Sequence, residues 1–383
     1  MVRAYLDSHW PYYCVSFLIA SYFPAIEWYG SYLYLLWIVY AIIPLLDTLI
    51  PLDEINPTEE EEKVLTRQIK WKFPLILYIL TDWTLFFWGM NKAVTAEMTV
   101  VEFLIFGVTV GHMGGLGILV SHEIMHKRDK VSRTVGAVNM AKNLYMHFFL
   151  EHLYGHHKNV ATPQDPATAQ FNQTVYSFLP QSIIGGFTHS WQREKELLER
   201  KHKAVYGPAN RMLWFSAAYI LIPLAVYWGY GLKGLVFFLL QAFYGVFLLE
   251  VTNYLEHYGL QRKETDPGVY ELVSTKHSWN APQLIQNILL LKLQRHSDHH
   301  ANSFKPYQTL CSYKESPNLP HGYAVCILAA LVPPVWFGIV NPLALQANEL
   351  GKPSERDMES AKFTLKVWVL AQTLFFTSLL PFI

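Results

Sequence analysis

The chain carries little charge. Only 16% of its 383 residues are Asp, Glu, Lys or Arg, where an ordinary soluble domain has about 25%. Basic and acidic residues number 30 each, so the net charge is zero and nothing points to nucleic acid. Cysteine is nearly missing: Cys14, Cys311 and Cys326 stand alone, with no C-x-x-C pair. That excludes a disulfide framework, an iron–sulfur site and a thiolate-bound zinc ribbon within the chain. Met1 to Pro11 holds one Arg and no A-x-A-like site, so no cleavable signal is expected. There is no internal repeat and no low-complexity tract.

What the chain has instead is apolar residues, 52% of the total, with 15% aromatic. Six runs approach the roughly 20 residues that span a bilayer. They are about Tyr12–Tyr29, Tyr32–Ile50, Phe73–Met90, Val100–Val120, Met212–Tyr230 and Leu235–Tyr254. Gly30-Ser31 joins the first two as a hairpin. Pro51–Lys72, with Thr58 capping an acidic run, reads as a solvent-exposed helix. Asn91–Thr99 and Gly231–Gly234 read as short loops. If the amino terminus lies inside, Pro51–Lys72, Ser121–Arg211 and Leu255–Pro320 all lie inside. These hold four, twelve and seven basic residues, 23 of the 30, whereas the two outside loops hold only Lys92 and Lys233. That is the positive-inside pattern. The expected fold is all-α: a polytopic integral membrane protein of about six spans, forming one catalytic domain. Its cytoplasmic, histidine-rich helical portions would be residues 121–211 and 255–320. Two later runs, His321–Val340 with Pro333-Pro334 and Phe363–Ile383, read as peripheral or partly embedded.

Sixteen histidines are present, and eight fall in three clusters: His122 and His126; His152, His156 and His157; His296, His299 and His300. Each cluster holds an i,i+4 pair, which on a helix lets two imidazoles reach one metal. Neighbouring histidines point about 100° apart on a helix of 3.6 residues per turn, so the His-His doublets suit two metals better than one. Eight ligands also exceed the needs of one ion, and a dinuclear site follows. His257, just past the sixth span, is a ninth candidate, with a helix cap as its alternative. All three clusters fall on the inside. An all-nitrogen shell suits iron, zinc or copper. Glu123, Glu151, Asp165, Glu256 and Asp298 are placed to orient imidazole N–H groups; the alternative for each is a solvated acid or a helix-end charge. His112 lies within the fourth span among glycines and reads as a hydrogen-bonding partner of a neighbouring helix. His9, His147, His189, His202, His277 and His321 read as structural or solvated.

Three functions compete on these residues. His122-Glu123-Ile-Met-His126 is formally H-E-x-x-H, the zinc-protease signature, but one zinc would leave at least six clustered histidines without a task. A metal transporter would place its site near the bilayer midplane, whereas these clusters sit at or beyond the helix ends. A redox di-metal site activating O2 beside lipid uses them all.

The order H-x3-H, H-x3-HH, H-x2-HH resembles the membrane-bound di-iron superfamily of fatty-acid desaturases and hydroxylases. Glu151-His-Leu-Tyr-Gly-His-His-Lys-Asn-Val-Ala-Thr-Pro-Gln-Asp-Pro166, Asn253-Tyr-Leu-Glu-His-Tyr-Gly259 and Leu293-Gln-Arg-His-Ser-Asp-His-His300 closely resemble the bacterial alkane 1-monooxygenases. The resemblance runs from about Leu45 to Leu310 and is weaker at Ile124-Met125. It implies two non-haem iron ions held by His122, His126, His152, His156, His157, His257, His296, His299 and His300. It implies terminal hydroxylation of medium- or long-chain n-alkanes with O2, in a bacterial inner membrane. Electrons would come from rubredoxin and a NAD(P)H-dependent rubredoxin reductase. Rubredoxin needs four thiolates, so the donor is expected to be a separate protein or a segment beyond this sequence. The main rival is a desaturase or another lipid hydroxylase. An alkane has no polar handle, so a channel must select it by shape; Trp37, Tyr40, Trp83, Phe86 and Phe87 are candidate lining. Arg193, Lys195, Arg200, Lys201, Lys203, Arg262 and Lys263 are candidates for docking an acidic carrier, with positive-inside topology as the alternative account of their charge.

Overall fold

The computed structural model describes residues 8–382. Part of the amino-terminal stretch read above for a signal, and the last residue of the final apolar run, lie outside these. The described residues form fourteen principal helical segments and one short hairpin, Glu264–Asp266 with Val269–Tyr270. In chain order the helices are α1 (Cys14–Tyr29), α2 (Tyr34–Leu49), α3 (Glu59–Arg67), α4 (Phe73–Thr95), α5 (Val100–Met125), α6 (Lys130–Asn139), α7 (148–159), α8 (Val175–Glu199), α9 (Arg211–His257), α10 (Leu284–Leu289), α11 (His296–Ala301), α12 (Tyr323–Ala330), α13 (Pro333–Leu350) and α14 (Glu355–Leu379).

Among the described residues, three helical stretches are long and apolar enough to cross a membrane: Ile69–Thr95, Val100–Met125 and Arg211–His257. The third has 47 residues, about 70 Å at 1.5 Å per residue, roughly twice the hydrocarbon thickness. It breaks at Gly231, whose φ of 67° and ψ of −170° suit glycine alone. The break separates the two runs read in sequence as the fifth and sixth spans, and the expected four-residue loop between them is reduced to this one residue. The first two runs form helices of 16 residues each, α1 and α2. The loop expected at Asn91–Thr99 is shorter too, because α4 continues to Thr95 and a capping box of Thr99 and Glu102 starts α5.

The most extensive helix contact is between α5 and α9. Glycines of α5 allow it: a Cβ on Gly111 would stand 2.6 Å from the Gln241 carbonyl oxygen. Gly107 faces Leu240, Gly111 faces Gln241 and Gly115 faces Leu248. The two helices therefore run parallel, and their carboxyl ends, carrying His122, His126 and His257, lie at the same end of the bundle. The first of these motifs and the ninth candidate thus meet through the packing of the two most apolar of the membrane-length helices.

The segment Pro51–Lys72 differs from its reading as an exposed helix. Thr58 and Glu61 do form a capping box that opens α3. Asp53, however, is wholly buried and pairs with Arg295 at 2.7 Å. Arg295 also donates to the carbonyls of Ile55 and Leu310, so the linker is fastened to the residue just before α11. At the other end of the chain, Pro333-Pro334 starts α13 after α12 ends at Ala330. The last run belongs to α14, which lies against α2 through a 2.8 Å bond from Gln372 Nε2 to the Tyr40 carbonyl.

Candidate metal centre

Each motif reaches the site from a helix end or an irregular turn. His122 lies in the last turn of α5, and His126 is its cap. His257 ends α9. His296, His299 and His300 occupy the single, fully buried stretch of α11. Within α7, residues His152–His156 form a π turn in which the His157 N–H reaches back to the His152 carbonyl. That turn inserts one residue relative to an α-turn.

All nine histidines come together, in two groups. His122, His126, His152, His157 and His299 form one; His156, His257, His296 and His300 form the other. Within each group one nitrogen per ring lies within 4.8 Å of every other. The Nε2 atoms face each other: His122 and His152 at 2.7 Å, His126 and His152 at 3.1 Å, His157 and His152 at 2.9 Å, and His299 and His157 at 3.1 Å. In the second group His296 lies 3.2 Å from His257 and 2.9 Å from His300. The Nε2 of His156 is buried without a partner.

This grouping alters one sequence expectation. The pair at i,i+4, His152 and His156, does not share a group; His152 shares with His157 instead. The π turn is the reason, since it brings positions five apart, rather than four, onto one side of the helix. The doublets divide as the 100° offset required: His156 and His157 go to different groups, as do His299 and His300.

A neutral imidazole offers one lone pair, and several lone pairs directed at one point repel unless a cation lies among them. Nitrogens bound at about 2.1 Å to one ion stand about 3–4 Å apart, which matches the separations here. Each donor set therefore fits a transition metal. Burial pushes His152, His157, His296 and His300 well below the usual histidine range, helped by neighbouring imidazoles. His299 is lowered to about 3, by burial and then by His156. These rings are neutral at physiological pH and available as ligands. His156 differs: burial lowers it, but the Asp165 carboxylate, 2.9 Å from Nδ1, together with Glu151 and Glu250, holds it above the usual histidine value.

Of the five carboxylates expected to orient imidazole N–H groups, one does so: Asp165, at His156 Nδ1. Glu256 lies beside the site in another way, its Oε2 3.3 Å from His296 Nε2, the nitrogen that faces the group, while Tyr323 donates to Oε1 at 2.9 Å. Glu123 is taken by Lys127 at 2.5 Å, and Glu151 accepts from His189 at 2.9 Å. Asp298 braces its own turn, accepting from the Cys311 N–H, Asn302 and Lys305. Sequence reasoning also missed the Arg295–Asp53 anchor. Its signal was weak: Asp53 sits in an acidic, proline-bounded stretch that looks solvated. His147 packs on Tyr219, His321 meets Thr48 and His277 meets Glu271, each outside the two groups.

An apolar cavity of about 90 Å3 opens onto both groups. His122, His152, His296 and Glu256 line one end of it. Of the five aromatics expected to line such a channel, only Tyr40 does. Trp83, Phe86 and Phe87 pack on each other, and Trp83 is tied to Asn139 at 2.7 Å; Trp37 bonds Thr377. The wall is instead leucine and isoleucine, such as Leu116, Leu119 and Ile327.

Comparison with known proteins follows the same lines. A family profile described as fatty acid desaturase matches residues 99–330. Alkane 1-monooxygenase 1 of Pseudomonas aeruginosa is 38% identical over 79% of this chain and 80% of its own length. Alkane 1-monooxygenase 2 of Alcanivorax borkumensis is 36% identical over 82% of this chain and 84% of its own. Alkane 1-monooxygenase of Acinetobacter baylyi is 36% identical over 86% and 82%. With apolar helices of membrane-spanning length, a histidine site that fits metal, and relatives of this closeness over four-fifths of its length, the chain is a membrane protein of the fatty acid desaturase family, on the alkane 1-monooxygenase branch.

Proposed function

We propose that the protein hydroxylates the terminal methyl of n-alkanes to the primary alcohol, using O2 and electrons from rubredoxin. The observation that carries this reading is the junction of two histidine groups with an apolar cavity. Two non-haem irons would be held, one by His122, His126, His152, His157 and His299, the other by His156, His257, His296 and His300. Bound iron supplies the reduction and activation of O2. The chain's own part is to bind, orient and keep dry. Leu116, Leu119 and Ile327 hold the alkyl chain by shape, and the cavity presents its end beside His122, His152 and His296. Asp165 fixes the tautomer of His156 by accepting its Nδ1 proton, leaving Nε2 free as ligand.

The topology that supports this is six spans within one domain of a bacterial inner membrane, with the metals on the cytoplasmic side. The split at Gly231 and the shared end of α5 and α9 favour it. Rubredoxin would meet a basic cytoplasmic face. Arg193 and Lys195 are already paired with Glu196 and Glu199, and Arg262 donates to the Glu271 and Lys158 carbonyls. Lys201, Lys203 and Lys263 are the better candidates. The protease reading loses its general base, because Glu123 is tied to Lys127.

Incubating the membrane enzyme with reduced rubredoxin, O2 and octane should give 1-octanol. An acyl substrate desaturated in the same assay, with no octanol formed, would overturn the reading in favour of a desaturase.

A further inference from the structure

Beside the π turn of α7 lies a second, polar cavity of about 10 Å3, room for one water molecule. His147, Glu151, His156, Ser182, Glu250 and Asn253 are on its wall. Glu250 is fully engaged there. It accepts from the Tyr145 hydroxyl at 2.6 Å, from Asn253 Nδ2 at 3.1 Å and from the Ser182 hydroxyl. Apart from the metal-facing Nε2 of His156, two atoms of these residues are buried without a partner: His147 Nε2 and Glu151 Oε2. His147 is 4% exposed and Glu151 5%.

The two orphaned atoms are complementary. The Tyr219 hydroxyl lies 2.8 Å from His147 Nδ1, and its oxygen accepts from the backbone N–H groups of His147 and Met146. With both lone pairs taken, its proton goes to Nδ1. Burial lowers His147 to about 3, so the ring is neutral and its one proton stands on Nε2. On the other side, Arg193 Nε donates to His189 Nε2 at 3.1 Å. The His189 proton therefore stands on Nδ1 and goes to Glu151 Oε1 at 2.9 Å. Oε2 is left as the open acceptor. A donor and an acceptor thus face one small cavity without meeting, and each is unfavourable if left unpaired.

We propose that one water molecule binds in this cavity, accepting from His147 Nε2–H and donating to Glu151 Oε2, and that His147 acts through it as a positioning residue for the π turn. The second hydrogen of the water has the Glu250 carboxylate on the same wall, which completes the two to four partners a buried water requires. A cation does not suit the cavity. The Nε2 proton points at it, and among the described residues neither Glu151 nor Glu250 belongs to a compact donor set.

The link to the metal centre is through Glu151. It is the residue before the π turn, and its carboxylate lies against that turn: a Cβ on Gly155 would stand 2.6 Å from Oε1 and 2.8 Å from Oε2. A carboxylate held at both oxygens therefore holds the backbone of His152–His156. Arg193, His189, Glu151, the water, His147 and Tyr219 form one chain that fastens the turn to α8 on one side and to α9 on the other. The water is independent of the alkane reading above, whereas its effect on iron rests on the two-ion part of that reading.

The test is a density map of the iron-loaded protein in lipid nanodiscs, fine enough to show ordered water. One peak should stand about 2.7–3.2 Å from both His147 Nε2 and Glu151 Oε2. No peak beside two well-ordered side chains would overturn the inference, and so would a direct bond between them. A peak with contacts of about 2.0–2.4 Å would mark a cation and overturn it too. His147→Gln keeps an N–H donor and His147→Leu does not. His147→Leu should weaken iron binding by about tenfold or more and change the Mössbauer splitting, with His147→Gln nearer the parent. A parent-like affinity and spectrum in His147→Leu would overturn the positioning role. If that variant does not fold, His147→Gln decides: the parent spectrum without the water peak has the same force. A water peak in a protein that makes no octanol would overturn the alkane reading and leave this inference standing.

Discussion

The two histidine groups draw on the same motifs but sit in different electrostatic surroundings. The group of four has two acids against it: Asp165 on His156 and Glu256 on His296. Among the described residues, no carboxylate oxygen lies within ion-pair distance of the group of five. An extra imidazole takes the place of an acid there. A carboxylate lowers the energy of a higher metal charge and raises the basicity of the imidazole it holds. The two groups are therefore inequivalent, and a metal held by the group of four would be the better stabilised when oxidised.

The comparison can be broken most severely at α11, which serves both groups. His299→Ala removes a nitrogen from the group of five alone. Activity should fall by about 100-fold or more and iron content toward one per chain, measured by turnover and metal analysis. Loss of both irons would mean that the groups are not independent.

The next largest effect is on stability. Arg295 and Asp53 are buried together, and Arg295→Met leaves Asp53 uncompensated. Removing one member of a buried pair costs about 3–5 kcal/mol. The melting temperature should drop, and both groups should lose iron together because Arg295 precedes α11.

Asp165→Asn sharpens the comparison by touching one side only. Loss of such a supporting acid costs about 10–100-fold in metal affinity or activity. A Mössbauer spectrum of the variant should shift one of two iron components and leave the other in place. Equal shifts in both would contradict the inequivalence.

The smallest effect is on pH dependence. His152, His157, His296, His299 and His300 are all held below the ordinary histidine range when folded. Below about pH 6.5 the unfolded chain takes up protons that the folded chain refuses. The metal-free protein should therefore lose stability as pH falls from about 7 to 5, read as a falling melting temperature. His156, raised by Asp165, works in the opposite sense and reduces the slope.

Eight of the nine histidines were legible in the sequence because ionisable clusters at helical spacing are rare beside apolar runs; His257, standing alone, stayed open between ligand and helix cap until the resemblance assigned it. Their division was only half legible. The 100° offset separated His156 from His157, but the π turn that pairs His152 with His157 leaves no mark in local propensity. Asp165 and Glu256 were readable as acids near a motif, yet Glu123 and Glu151 looked the same and face Lys127 and His189. Which way a side chain turns depends on packing from distant segments. For the same reason the aromatic stripe of α4 proved to be packing, and the cavity wall came from leucines that no pattern distinguished from core. The break at Gly231 was visible as a loop, though not its shortness.

The π turn in α7 has a consequence for reading stoichiometry from spacing. An H-x3-HH string on an unbroken α-helix would put its first and second histidines on one ion. Here one additional residue of backbone puts the first and third in one group and hands the second to the other. Deleting a single residue inside that turn would restore the α spacing and leave the first and third histidines four apart on one face. The chain would keep every histidine it has, and their division into two groups should survive the loss of the π turn.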